Sequence, residues 1–151
     1  MKNVCVIGTG ISGSTIANLL SKKYKVDVYE KAKGIGGRSS YRRYLDNFGF
    51  DHGLQYISPK TSKFKKFCYS LLKKRVLKNW QGSHKFNHNK VLENKKHTKL
   101  IGVKGNNAIS KYLLKNINCI FGYELFKIER IKKIWKLSFL NGDIKYYEIL
   151  I

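Results

Sequence analysis

Three glycines, Gly8, Gly10 and Gly13, follow a short apolar run at residues 4–7 in the spacing G-x-G-x-x-G. A run of this length, rich in β-branched residues, predicts a buried parallel strand. Gly8 would make a tight turn, Gly10 would let a diphosphate approach the backbone, and Gly13 would let a following helix pack closely on the strand. The spacing therefore predicts a turn that receives a pyrophosphate.

The helix that should follow begins with Ile11 and Ser12, and its apolar face is formed by Ile11, Ile16, Ala17, Leu19 and Leu20. The N–H groups of a first helical turn point toward a bound anion, and the helix dipole adds about 0.3–1 kcal/mol. We therefore expect Ile11 and Ser12 to contact a cofactor phosphate.

A second strand is predicted over residues 25–30, and it ends in Glu30. A carboxylate at the end of this strand can accept hydrogen bonds from both ribose hydroxyls of an adenosine, and it repels a 2′-phosphate. Strand, glycines, helix, second strand and terminal Glu30 together predict a dinucleotide site that disfavours a phosphorylated adenosine ribose.

The segment after Glu30, with Lys31, Gly36, Gly37 and Arg38, resembles the second glycine motif of FAD proteins of the amine oxidase and phytoene desaturase type. Paired glycines let the chain pass close to a ribityl diphosphate, and Arg38 offers a cationic fork to a phosphate oxygen. The resemblance implies that Lys31, Gly37 and Arg38 contribute to an FAD site.

Residues 50–56 resemble the D-x-G-A-Q-Y segment of renalase-like flavoproteins, in which the backbone beside the glycine lies against the flavin ring. The resemblance implies cofactor contacts from Gly53, Leu54, Gln55 and Tyr56. Leu54 stands where the family prefers a small residue, so its side chain would either crowd the ring or repack.

The resemblance continues at residues 100–109, where Val103, Lys104 and Asn106 replace the residues that the family prefers. Residues 125–128 resemble a strand whose first residue contacts the adenine through its backbone, which implies that role for Leu125. The resemblance thus spans nearly the whole chain.

The family resemblance implies an FAD-dependent oxidoreductase, of amine oxidase or renalase-like kind, that transfers hydride from an amine or a reduced nicotinamide-like small molecule to flavin, with oxygen as acceptor. No catalytic side chain is assigned. Asp51 and His52 are candidates for an acid–base pair, but such neighbours more often cap a turn.

The expected fold class is α/β, with an FAD/NAD(P)-binding Rossmann-like βαβ start and part of an inserted β-rich substrate domain. We expect an FAD-binding segment over residues 1–60, the start of a substrate-domain layer over 61–103, and an incomplete return to the FAD-binding domain over 104–151. The family's second half is absent, so we expect a truncated chain, or a partner chain that carries the C-terminal half.

Periodicity predicts helices over residues 61–74 and 106–114. Alternation and turn residues predict a hairpin turn at Asn141 and Gly142. Strands are predicted over residues 75–80, 85–91, 117–121, 125–131, 135–140 and 144–151.

The charge of the chain supports a different class of function, because 31 Lys and Arg residues against 9 Asp and Glu residues give a net charge of +22 and a pI near 10.0. Such values are typical of nucleic-acid binders. The cations are scattered as pairs in separate segments, which favours a solvated surface, so nucleic acid is not the favoured partner. The alternatives are a non-catalytic dinucleotide-binding remnant and a basic nucleic-acid-binding module.

The remaining metal-ligand and thiol residues predict no metal site. Cys5, Cys68 and Cys119 are far apart and are expected to be reduced. His84 and His88 are spaced for a metal only on a helix, whereas their segment looks extended. Without a signal-peptide core or an apolar span long enough for a membrane, we expect a cytoplasmic protein.

Overall fold

The computed structural model describes residues 2–45, 48–81 and 99–151. The predicted strand over residues 85–91 lies outside the described residues, as do His84, His88 and His97. None of the described helices is long and apolar enough to cross a membrane. In chain order, the helices and strands of the described residues are β1 (Asn3–Ile7), α1 (Ile11–Leu20), β2 (Lys25–Glu30), β3 (Tyr41–Arg43), β4 (Gly49–Asp51), α2 (Ser62–Lys73), β5 (Leu77–Asn79), β6 (Leu100–Gly102), α3 (Ala108–Leu113), β7 (Asn118–Phe121), β8 (Leu125–Ile131), β9 (Ile134–Phe139), β10 (Ile144–Tyr147) and β11 (Ile149–Leu150).

The centre of the fold is a four-stranded parallel sheet in the order β11-β1-β2-β7. Its register aligns Val4 with both Val26 and Ile149, and it aligns Val28 with Cys119. Val4 and Val28 are fully buried, as expected of apolar strands in a parallel sheet that is covered on both faces. The predicted α/β fold with a βαβ start is confirmed.

Different layers cover the two faces of the parallel sheet. On one face, Val6 of β1 packs in a cluster with Ala17 of α1. On the other face lies the antiparallel sheet β10-β9-β8, whose Leu137 packs in a cluster with Cys5 and Tyr29 of the parallel strands. The parallel sheet is therefore sandwiched between α1 and the antiparallel sheet. The turn between β1 and α1 lies at the carboxyl end of the parallel strands.

A further cluster of buried side chains joins α2 and the two-stranded sheet of β5 and β6 to α3. Leu71, Leu100 and Ile109 are almost fully buried in it. Leu114, directly after α3, packs instead with the residues between α1 and the parallel sheet. The short helix α3 and the residue after it thus contact both clusters. The domain boundaries expected at residues 60 and 103 stay predictions.

The single strand predicted over residues 144–151 is wrong, because the chain changes sheets within it. Tyr147 pairs with Trp135 in the antiparallel sheet, whereas Ile149 pairs with Val4 in the parallel sheet. Glu148 forms a bend between them, and its carboxylate accepts the Asn3 N–H at 2.8 Å. One strand can follow only one ladder, so a change of partner sheet requires this break.

The hairpin turn predicted at Asn141 and Gly142 is confirmed between β9 and β10. Gly142 has a φ of +86°, which favours glycine, and its N–H donates to the Phe139 carbonyl at 3.0 Å. The flanking strands pair Ile144 with Ser138. This turn returns the chain toward the strand that joins the parallel sheet.

The hairpin of β3 and β4 was not predicted from the sequence. Its Tyr41 ring lies over Gly49 and Gly105, where a Cβ on either glycine would come within 2.5 Å of ring atoms. These two glycines therefore make the space that lets the tyrosine pack between the hairpin and the loop before α3.

Candidate dinucleotide site

A cleft of about 480 Å³ lies at the carboxyl end of β1, and its volume is in the usual range of small-molecule sites. Three parts of the chain line it: the turn into α1, residues 36–39 and the loop after β4. Of the residues singled out in the sequence, the cleft is lined by Gly8, Gly10, Ile11, Ser12, Gly13, Gly37, Arg38 and Leu54. The lining also includes Ile7, Gly36 and Ser39.

The turn between β1 and α1 has the backbone geometry that its glycines predict. Gly8 has a φ of +97°, and its N–H donates to the Tyr29 carbonyl at 2.7 Å, which fixes the turn to β2. A Cβ on Gly13 would lie 2.1 Å from the Gly8 carbonyl oxygen. The Ser14 hydroxyl donates to the Gly10 carbonyl at 2.7 Å, which ties the first turn of the helix to the glycine turn.

Helix α1 begins at the cleft without a side-chain cap. Gly10 is the N-cap residue, in an extended conformation, and no side chain in the described part of the chain accepts a hydrogen bond at this end. The first N–H groups of a helix have no partner within the helix. Ile11, Ser12 and Gly13 line the cleft, so their N–H groups can bind an anion there.

The second glycine segment packs directly against the first. Gly36 and Gly37 both have positive φ, at +137° and +53°. A Cβ on Gly37 would lie 3.2 Å from the Gly10 Cα, and a Cβ on Gly36 would lie 2.8 Å from the Asn107 Cβ. The close approach of the two glycine segments therefore depends on Gly37, whereas glycine at position 36 lets the second segment pack against Asn107.

Arg38 supplies the cation in the cleft lining. Among the described residues its side chain is exposed and forms no salt bridge. Its carbonyl accepts the Leu54 N–H at 3.0 Å, and a Cβ on Gly53 would lie 2.1 Å from the same oxygen. Glycine at position 53 thus lets the loop after β4 reach Arg38, so that Leu54 forms part of the cleft wall.

Glu30 ends β2, and its side chain is buried next to Thr9 rather than in the lining of the cleft. Its Oε2 accepts the Thr9 N–H at 2.8 Å and the Thr9 hydroxyl at 2.7 Å, and its Oε1 accepts the Ala32 N–H at 2.9 Å. Burial alone would raise the pKa of Glu30, but these hydrogen bonds and the charge of Lys31 lower it below its ordinary value. The carboxylate that was expected to bind two ribose hydroxyls already accepts three protein hydrogen bonds.

Lys31 and Leu125 are described but do not line the cleft. Lys31 is exposed directly after β2. Leu125 begins β8, is half-buried, and pairs with Phe139. The Tyr123 N–H donates to the Glu30 carbonyl at 3.0 Å, so the approach to β8 runs beside the end of β2. The adenine contact expected of Leu125 stays a prediction.

Gln55 and Tyr56 also lie outside the cleft lining. Gln55 is exposed. The Tyr56 ring stacks on the Trp80 ring with centroids 5.4 Å apart, and the Lys99 ammonium lies 4.4 Å from the Tyr56 centroid. Tyr56 therefore belongs to an aromatic and cationic group beside β5 and β6, and its expected cofactor contact stays a prediction.

Asn106 holds the loop after β4 in place, and in the sequence it stands out only as a departure from the family pattern. It is fully buried, and its Oδ1 accepts the Gly102 N–H at 2.9 Å. Its Nδ2 donates to the Leu54 carbonyl at 2.6 Å and to the Gln55 carbonyl at 3.2 Å. The side chain thus holds the segment that carries Leu54 against the start of the α3 region. Neither its burial nor its carbonyl partners are visible in the sequence, so no local signal identifies it.

The contacts of Asp51 and His52 favour a turn-capping role over an acid–base role. The Asp51 Oδ1 accepts the Asn106 N–H at 2.7 Å, and the His52 Nε2 lies 3.3 Å from the Ser40 hydroxyl. Both side chains therefore tie neighbouring loops together.

The cysteines are free thiols, with Cys5 and Cys68 buried and Cys119 half-buried. No group of three or more His, Cys, Asp or Glu side chains among the described residues is arranged to hold a metal ion.

Residues 6–71 match the family model described as an NAD(P)-binding Rossmann-like domain. The match covers the turn into α1, both glycine segments and the loop that carries Leu54. The chain has a Rossmann-like α/β fold. The Rossmann-like fold extends beyond the matched residues, because β7 and β11 complete the parallel sheet.

Solved structures with the same Rossmann-like fold include tetracycline destructase Tet(51), with a TM-score of 0.64 and 15% identity over 99% of this chain and 38% of that one. A second is a protein from Exiguobacterium sp. 255-15 assigned as a protoporphyrinogen oxidase, with a TM-score of 0.69 and 11% identity over 99% of this chain and 58% of that one. At these identities the likeness concerns the fold alone. The chain spans less than two thirds of the length of either structure.

Proposed function

We propose that this chain binds FAD in the cleft and forms the cofactor-binding part of an oxidoreductase. One observation carries the proposal: the second glycine segment lies against the first, with Gly37 beside Gly10 and Arg38 in the same cleft lining. A nicotinamide site in a Rossmann-like fold needs only the first glycine turn. A second glycine segment, with an Arg38 that forms no salt bridge within the described residues, fits a longer flavin dinucleotide.

The chemistry of the cleft fits such a cofactor. The N–H groups of Ile11, Ser12 and Gly13 can donate to phosphate oxygens, and Arg38 can form charge-assisted hydrogen bonds with them. The Gly10 Cα faces open space, since a Cβ there would have no heavy atom within 4 Å. Ile7 and Leu54 add apolar side chains that suit the face of a ring system.

In this proposal the chain binds and orients the cofactor, and flavin supplies the hydride-accepting centre when it is bound. The Leu54 backbone is held by Arg38 and Asn106, so the loop at the expected ring position is rigidly placed. The half-buried Leu54 side chain lines the cleft and also packs on the cluster around α2, so it limits how deeply a ring can enter.

The substrate and the partner belong to the finer part of the proposal. The family resemblance supports an amine or a reduced nicotinamide-like small molecule as hydride donor, with oxygen as acceptor, in an amine oxidase or renalase-like reaction. The same resemblance supports a partner chain that carries the C-terminal half. One of the solved structures compared above is itself described as an oxidase.

The test is the visible absorption spectrum of the purified chain after incubation with FAD and desalting, for the wild type and for Gly10→Val. The extended Gly10 backbone, with a φ of −66° and a ψ of 177°, accepts valine without strain. The added methyl groups would occupy the cleft, so we expect a folded variant that retains no flavin. Gly34→Val is the control, because its Cβ also meets open space but Gly34 does not line the cleft.

Two results would contradict FAD binding. One is a folded wild type without flavin bands, which would favour a non-catalytic remnant. The other is equal flavin retention in wild type and Gly10→Val. Binding of a DNA oligonucleotide that falls steeply with salt and ignores the Gly10 substitution would favour the nucleic-acid alternative.

A further inference from the structure

Thr9 and Glu30 form a buried hydrogen-bonded pair behind the glycine turn. Thr9 is fully buried, and Glu30 is 7% exposed. The Thr9 N–H and hydroxyl both donate to Oε2 of Glu30, at 2.8 and 2.7 Å. Thr9 lies between Gly8 and Gly10, so the pair connects the loop that would bind phosphate to the carboxylate that would bind ribose.

The hydrogen bonds restrict what Glu30 can still accept. A carboxylate has about four acceptor positions, two on each oxygen. Thr9 takes both positions on Oε2, and the Ala32 N–H takes one on Oε1 at 2.9 Å. One acceptor position remains, and it is on Oε1.

The orientation of the Thr9 hydroxyl is also determined by this arrangement. A hydroxyl has one proton, and an ionised carboxylate only accepts, so the Thr9 proton points to Glu30. Three donors directed at one buried carboxylate favour its charged form, which agrees with the lowered pKa of Glu30. A negative group is therefore held at the end of β2 in a single orientation.

We propose that Thr9 is the positioning residue that makes Glu30 accept one ribose hydroxyl of an adenosine at the free acceptor position of Oε1 and reject a ribose that carries a 2′-phosphate. This inference rests on the proposed dinucleotide site. A 2′-phosphate would bring its own negative charge against a carboxylate that can neither rotate away nor readily take up a proton. Thr9 thus acts on the ribose through Glu30 and not by contact.

The experiment compares the full-length wild type with Thr9→Val and Thr9→Ser. Valine keeps the shape of threonine and removes the hydroxyl, whereas serine keeps the hydroxyl. Calorimetric titration with ADP-ribose and with 2′-phospho-ADP-ribose measures two probes that differ only in the phosphate. We expect Thr9→Val to bind ADP-ribose about tenfold more weakly and to discriminate less between the probes, and Thr9→Ser to stay within about twofold of wild type.

A second readout separates positioning from a general loss of structure. The ¹³C signal of the Glu30 carboxyl, followed against pH in the protein without ligand, reports its titration directly. We expect the pKa of Glu30 to rise in Thr9→Val and to stay low in Thr9→Ser. In the Glu30→Gln background, Thr9→Val should cause little further loss of ADP-ribose binding, because its effect passes through the carboxylate.

The outcomes distinguish this inference from FAD binding. Wild type that binds ADP-ribose with the expected Thr9 dependence but retains no FAD would remove the FAD proposal and leave this one standing. Equal ADP-ribose binding by wild type and Thr9→Val, an unchanged Glu30 titration, or a loss in Thr9→Ser as large as in Thr9→Val would each overturn the role of Thr9. A folded wild type that retains FAD but binds neither probe would overturn this inference and leave the FAD proposal standing.

Discussion

The Gly13 Cα in α1 faces the carbonyl oxygen of Gly8 so closely that a Cβ would lie 2.1 Å from that oxygen. No other side chain can be accommodated there without a shift of the backbone. The contact seats the first turn of α1 on the end of β1, and the cleft is lined by residues on both sides of it. The position of the helix N-terminus therefore requires a residue without a side chain at position 13.

We expect Gly13→Ala to destabilise the protein by about 2 kcal/mol or more, because the new methyl group forces the helix away from the turn. The direction of this change in stability is informative, since alanine in place of glycine inside a helix ordinarily stabilises a protein by about 0.5–1 kcal/mol. Gly34→Ala is the control, because Gly34 has no positive φ and open space around its Cβ, and its stability should be unchanged or slightly raised. Urea unfolding followed by circular dichroism measures the stability of both variants. Equal stability of Gly13→Ala and wild type would show that α1 does not contact the Gly8 carbonyl.

Much of the architecture could be predicted because periodicity and glycine spacing are local signals. The bounds predicted for residues 25–30 and 125–131 are those of β2 and β8, and the helix predicted over residues 61–74 is α2 with one residue fewer at each end. These elements have a continuous apolar pattern and clear turn residues at their ends. The break at Glu148 has no local signal of this kind, since it depends on which sheet each neighbouring residue joins.

The candidate site could be predicted in part for the same reason. The glycine spacing and Arg38 are visible in the sequence, and the structure lines one cleft with them. The hydrogen bond from the Thr9 hydroxyl to Glu30 could not be predicted, because a contact between a turn and a strand end depends on three-dimensional orientation. The role of Asn106 is similar, since its partners lie about 50 residues earlier in the chain.

Asn106 provides a second prediction, because its amide both accepts and donates inside the fold. Asn106→Asp keeps an acceptor for Gly102 but removes the donor to Leu54 and places a carboxylate against a carbonyl oxygen. We expect a loss of about 2 kcal/mol or more at neutral pH. Asn116→Asp makes the same change of charge at an exposed residue and should alter stability by less than about 0.5 kcal/mol.

The pH dependence of the Asn106→Asp variant should identify the cause of its instability. A buried carboxyl that keeps one N–H donor but faces the Leu54 carbonyl oxygen has a raised pKa in the folded state, so its penalty applies above that pKa and is relieved as pH falls and the group takes up a proton. The stability difference from wild type should therefore shrink as pH is lowered toward about 4. A difference that stays constant with pH would mean that shape, rather than charge, causes the loss.

A polar network crosses the interface between the parallel and antiparallel sheets. The Tyr147 hydroxyl donates to Oδ2 of Asp27 at 2.9 Å and lies 2.9 Å from the Tyr29 hydroxyl, and the Asn118 Nδ2 donates to Oδ1 of Asp27 at 2.7 Å. Burial raises the pKa of the Cys5 thiol to about 12, and the negative charge of Asp27 contributes to this increase. The network is thus the polar part of an otherwise apolar interface.

Tyr147→Phe should destabilise the protein by about 1 to 3 kcal/mol, because it removes one donor from Asp27 and the hydrogen bond to Tyr29 while it keeps the ring. Tyr146→Phe is the matched control on the same strand, since Tyr146 is 56% exposed. Thermal unfolding of the two variants under identical conditions measures the difference. Because Tyr147 does not line the cleft, Tyr147→Phe should leave ligand binding by the folded protein unchanged. Equal stability of the two variants would mean that water replaces the lost hydroxyl at no cost.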